Sequence, residues 1–82
     1  MPKLPVVSWK EIAKFLEELG YNFKRHGKGD HMIFSIEKPL RGSGMVSIPR
    51  HKELDPGTLK SIVEIISDHT GKSEDDLIEL LR

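Results

Sequence analysis

Apolar residues in the first quarter of the chain recur at helical spacing, with Ile12, Phe15, Leu16 and Leu19 on one face and Trp9 and Ala13 flanking it. Ser8-Trp9-Lys10-Glu11 precedes this face as a capping box, in which the serine hydroxyl and the glutamate carboxylate satisfy amides left unpaired at a helix start. Val7 and Ile12 are spaced for the accompanying hydrophobic staple, and Gly20 is placed to end the helix in a left-handed conformation. The pattern predicts a helix over residues 8–19. From Tyr21 the period changes to two. Residues 21–26 alternate aromatic with polar and predict a strand, and residues 30–38 predict a second, with Met32, Phe34 and Ile36 on one face and His31, Ile33 and Ser35 on the other.

A loop follows by composition, because Pro39, Gly42 and Gly44 interrupt any regular element. Residues 45–49 predict a third strand, with Val46 and Ile48 sharing a face. Asp55-Pro56 supplies an N-cap and a proline at the first helical position, where its missing amide costs nothing. Leu59, Ile62, Val63 and Ile66 then mark the apolar face of a helix over 56–69, stopped by Gly71. Ser73 caps a last helix whose first-turn acids suit the positive end of the helix dipole, and Leu77, Ile78, Leu80 and Leu81 give it an apolar side. A helix this short must pack on the body or on a partner to persist.

The order is α, β, β, β, α, with a short extra α. Connections this short make the strands an antiparallel meander. Two amphipathic helices can cover one face of a three-stranded sheet, so the fold class is α+β, a two-layer sandwich whose other face stays open and carries His31. At 82 residues the chain is expected to form one domain, residues 1–82, with no room for a second core or a large cofactor cleft. It has no cysteine, so neither disulfides nor a thiolate zinc site can hold the fold. There is no signal-peptide pattern and no stretch able to span a bilayer, so the expectation is a soluble cytoplasmic protein with no membrane association.

Charge changes the picture more than composition does. The formal net charge is zero, yet residues 22–52 carry Lys24, Arg25, Lys28, Lys38, Arg41, Arg50 and Lys52 against only Asp30 and Glu37, a net +5. Residues 53–82 carry a net −5. The middle of the chain is therefore able to attract an anion such as RNA while the last third keeps the molecule neutral. Within that middle, Lys24-Arg25-His26-Gly27-Lys28-Gly29-Asp30-His31 sets a histidine beside a two-glycine turn and three cations. Glycines at such a turn admit unusual backbone angles and let a phosphate approach the main chain. The competing reading is an ordinary hairpin bearing a solvated histidine. His26 and His51 raise the question of a metal, but no cysteine or well-spaced acidic pair completes a ligand set. His69 reads as a partner for the negative end of its helix. Trp9 and Tyr21 are able to stack bases, though packing at element edges explains both equally well.

The chain resembles the HicA family of toxin-antitoxin systems over nearly its whole length. The resemblance rests on Leu19-Gly20-Tyr21-Asn22-Phe23, on Gly29-Asp30-His31 followed by Met32-Ile33-Phe34, on Val46-Ser47-Ile48-Pro49-Arg50-His51, and on Leu54-Asp55-Pro56-Gly57-Thr58-Leu59-Lys60-Ser61-Ile62. It implies a fold like a double-stranded RNA-binding domain, mRNA interferase activity and a HicB-like antitoxin covering the His31 face. It implies His31 as the catalytic histidine, acting as general base or acid without a metal or other cofactor. Arg25, Lys28, Gly29, Arg50 and His51 are the residues expected to contact mRNA or other single-stranded RNA, with Arg25, Lys28 and the amides around Gly27 and Gly29 stabilising charge on the phosphate. The chain departs from the family at Asp30, where serine or glycine is more usual, and this sets a negative charge beside the site. Two other functions use the same fold: a non-catalytic RNA-binding module, and a protein-interaction domain presenting the last helix and the open sheet face.

Overall fold

Ser8 Oγ accepts a hydrogen bond from the Glu11 amide at 3.3 Å, and Glu11 Oε1 accepts one from the Ser8 amide at 3.0 Å. In this computed structural model, which describes residues 3–82, that capping box starts helix α1 (Trp9–Glu18). Val7 and Ile12, the staple pair, are both buried in the core. At the other end the Gly20 amide donates to the Glu17 carbonyl (3.1 Å) and the Tyr21 amide to the Leu16 carbonyl (2.9 Å). This is a Schellman turn, and it requires the left-handed backbone of Gly20, at φ +103°. It also corrects the first strand. The Tyr21 amide is spent on capping the helix, so strand β1 (Asn22–His26) begins one residue later than the alternation predicts.

Strand β2 (His31–Ser35) and strand β3 (Met45–Pro49) complete an antiparallel sheet in the order β1-β2-β3. The second strand is shorter than the predicted 30–38, running from His31 to Ser35, and beyond it Lys38 takes a left-handed φ of 54° as the chain turns away. One hydrogen bond past the strand, from the Ile36 amide to the Gly44 carbonyl at 2.9 Å, closes the neck of the β2–β3 loop. Helix α2 (Pro56–Thr70) and helix α3 (Glu74–Leu81) follow. Pro56 sits in the first turn of α2 as expected, but the Asp55 side chain makes no capping hydrogen bond. Ser73 does cap α3, accepting from the Asp76 amide at 3.1 Å.

Phe34, Val46 and Ile48 from the helix-facing side of the sheet meet Ile12 and Leu16 of α1, Leu59, Ile62, Val63 and Ile66 of α2, and Leu77 and Ile78 of α3 in one buried cluster. The α+β two-layer arrangement is the one predicted. Met32 and Ile36 are only partly buried against it, and Leu80, assigned to the apolar side of the last helix, is 59% exposed. No helix among the described residues is long and apolar enough to cross a membrane.

Candidate active site

A β-bulge decides which β1 side chains share a face with His31. Phe23 pairs with Phe34, but the register slips between Phe23 and Arg25, so that Arg25 pairs with Ile33 and His26 with Met32. Directly opposed residues project to the same side of a sheet, and one extra residue moves everything after it to the other face. Arg25 therefore lies on the open face with Ile33 and His31, whereas unbroken alternation would have put it with Phe23. His26 joins Phe23 on the opposite face, where the two rings stand edge to face with centroids 5.3 Å apart.

The β1–β2 turn holds His31 from both sides of its backbone. The Gly27 amide donates to the His31 carbonyl at 2.8 Å, and the His31 amide points at the Lys28 carbonyl at 3.4 Å. Gly29 occupies the left-handed region at φ +66°, which a side chain would strain. A Cβ on Gly27 would lie 3.1 Å from Ile33 Cδ1 and 3.3 Å from His31 Cβ, so the turn passes close beneath the histidine. The ring is fixed as well: His31 Nδ1 lies 3.1 Å from the Lys28 carbonyl oxygen. A carbonyl only accepts, so Nδ1 carries the proton and the neutral ring keeps its lone pair on Nε2. The side chain is 47% exposed.

Asp30 joins this turn to the segment after β3. Its carbonyl accepts from the Arg50 amide at 3.0 Å. One carboxylate oxygen, Oδ2, lies 3.2 Å from His51 Nε2, and the other, Oδ1, lies 3.6 Å from His31 Nδ1. The His51 backbone is tied to helix α1, since its carbonyl accepts from the Trp9 amide at 3.1 Å. The Arg50 guanidinium stacks over the Trp9 ring at 5.0 Å from its centroid. Asp30, His31, Arg50 and His51 are thus assembled around one strand end. Lys28 and Arg25 border it from the turn and from β1, the Arg25 guanidinium reaching only its neighbour's carbonyl, that of His26, at 3.5 Å. Among the described residues no three His, Asp or Glu side chains are arranged to hold a metal ion.

Residues 9–67 match the family described as HicA toxin of bacterial toxin-antitoxin. The chain belongs to the HicA family. Membership makes it the toxin of a toxin-antitoxin system and implies a HicB-type antitoxin as its partner. No curated protein and no solved structure matches the chain. The matched span contains the whole of the sheet, the His31 turn and the Arg50-His51 segment, whereas α3 of this HicA chain lies beyond it.

Two side chains weighed from the sequence lie elsewhere. Tyr21 is buried, and its hydroxyl sits 2.8 Å from Nδ1 of His69, so it stacks no base. His69 is in the last turn of α2, but at 4% exposure it is a core residue rather than a solvated partner of the helix end. Burial lowers its pKa from the ordinary 6.5, against a smaller opposing pull from Asp68, which favours the neutral ring. The pairing of Asp30 with His51 was not visible in the sequence. The signal was present only as a carboxylate and a histidine at the two strand ends that antiparallel pairing of His31 with Pro49 brings together.

Proposed function

We propose that this HicA toxin is an endoribonuclease that cleaves mRNA without a metal, with His31 Nε2 as the group that takes the proton from a ribose 2′-hydroxyl. RNA carries its own nucleophile, so once that proton is removed the 2′-oxygen can attack the adjacent phosphorus and expel the 5′-oxygen. The single observation that carries this reading is the clamped tautomer: Nδ1 is held at the Lys28 carbonyl, and Nε2 is left as a free base on the half-exposed ring. Neutral imidazole accepts a proton through such a lone pair, and a positioned base contributes about 10²- to 10⁴-fold. Arg25, Lys28, the amides of the Gly27–Gly29 turn, Arg50 and His51 surround the scissile phosphate in this reading and stabilise its developing charge. The antitoxin would silence the toxin by covering this face.

Incubating single-stranded RNA in EDTA with the wild type and with His31→Ala tests the proposal. Cleavage by the wild type and a loss of about 10²-fold or more in the variant, with its circular dichroism unchanged, is the expected result. Uncut RNA that is nonetheless bound by both proteins would make the chain a binding module. RNA neither cut nor bound at moderate salt would leave only protein interaction.

A further inference from the structure

Asp30 directly precedes the histidine, and its carboxylate sits between two imidazoles. Oδ2 lies 3.2 Å from His51 Nε2, ion-pair distance, so a protonated His51 has its counter-charge beside Nε2 and its Nδ1 on the far side of the ring from the carboxylate. Among the described residues no protein group is hydrogen-bonded to Nδ1. The His51 main chain is fixed by its amide donating to the Pro49 carbonyl (2.9 Å) and by the Trp9 amide donating to its own carbonyl, while the Arg50 amide fixes the backbone of Asp30. A histidine anchored at one nitrogen by a carboxylate and presenting the other is the arrangement that orients an imidazole for proton transfer. Both rings are about half exposed, at 47% and 53%.

We infer that His51 is the second catalytic residue of the cleavage, the general acid that protonates the leaving 5′-oxygen, and that Asp30 is its positioning residue. The assignment rests on the nuclease reading. In the step, the 2′-oxygen loses its proton to His31 Nε2 and forms a bond to phosphorus. The bond from phosphorus to the 5′-oxygen breaks, and that oxygen takes the proton from Nδ1 of the His51 imidazolium. The products are a 2′,3′-cyclic phosphate and a 5′-hydroxyl, with His31 protonated and His51 neutral. Asp30 acts as the counter-ion while His51 holds its proton, so a carboxylate that in isolation would repel RNA is occupied by a cation of the protein itself.

The test uses the full chain and an RNA oligonucleotide cut at one mapped phosphodiester, beside the same oligonucleotide with sulfur in place of the bridging 5′-oxygen. A thiolate leaves without being protonated, so the sulfur substrate needs no acid. His51→Gln is expected to cut the oxygen substrate about 10²- to 10⁴-fold more slowly than wild type and the sulfur substrate within about tenfold of it. Asp30→Asn should show the same selectivity with a smaller loss, at least about tenfold on oxygen. His31→Ala should lose both substrates. Equal losses on the two substrates in His51→Gln, or none on either, would overturn the assignment and leave His31 as the base. A wild type that cuts neither substrate would overturn the nuclease reading itself. Should His51→Gln fail to fold, the sulfur-to-oxygen ratio of Asp30→Asn decides, since that replacement keeps the size of the side chain.

Discussion

The hydrogen bond between Tyr21 and His69 links the turn after α1 to the end of α2 across 48 positions of sequence, and it joins the two groups whose pKa values burial shifts. Burial pushes the Tyr21 phenol up to about 12 and lowers the pKa of His69, so the hydrogen bond joins two neutral groups. The two shifts limit stability from opposite sides. His69 binds a proton more readily in the unfolded chain, so the stability it contributes is full above pH 6.5 and is lost as pH falls through its lower folded value. Tyr21 holds its proton more tightly when folded, so its contribution is full below about pH 10 and is lost as pH rises towards about 12. The melting temperature should therefore plateau between these limits and decline on both sides, with His69→Gln removing the part of the acid decline that His69 causes. Tyr21 is the only tyrosine, so phenolate absorbance reads it directly. A midpoint near 10 in the folded protein would refute this account. At this scale the sequence revealed positions whose fate is set locally. Period-two alternation placed His31 on the open face, but Arg25 depended on a bulge, and His69 depended on a partner no local pattern could supply.

Caps show the same division between what is local and what is not. Ser8 sits in a reciprocal box with Glu11, whereas Asp55 stands at the N-cap of α2 without using its side chain. Ser8→Ala leaves the Glu11 amide without its partner and should cost about 0.5–2 kcal/mol. Asp55→Ala removes no such bond and should cost less, within about 0.5 kcal/mol. Urea denaturation of the two variants tests the order, and a larger loss at Asp55 would contradict the cap geometry. Helix α1, strand β3 and helix α2 were legible to within a residue, because capping residues, glycines and prolines mark their ends in the chain itself. The ends of β1 and β2 were not. Tyr21 is withdrawn from β1 by the Schellman bond to Leu16, and β2 ends at Ser35, ahead of a left-handed turn at Lys38 that nothing in its own side chain calls for.

For the whole molecule, the question is how a chain of 82 residues closes a core on one side of a three-stranded sheet while leaving the other side open. A domain this small buries only about 60% of its unfolded surface, so every covering element matters. The family match ends at residue 67, before α3, which invites the view that the last helix is an appendage. Its burial says otherwise. Leu77 is fully buried and Ile78 nearly so, in the same cluster as Ile66 and Leu16, so α3 closes one end of the core that supports the sheet. Leu77→Ala should therefore cost about 2–5 kcal/mol, a large part of the total stability of a small domain. At this size that corresponds to a fall in melting temperature of about 8 °C or more. Leu80→Ala, on the solvent side of the same helix, should stay within about 0.5 kcal/mol. Thermal melts followed by circular dichroism separate the two outcomes. If both substitutions were neutral, α3 would be dispensable, and the sheet that carries His31 would have to be held by α1 and α2 alone.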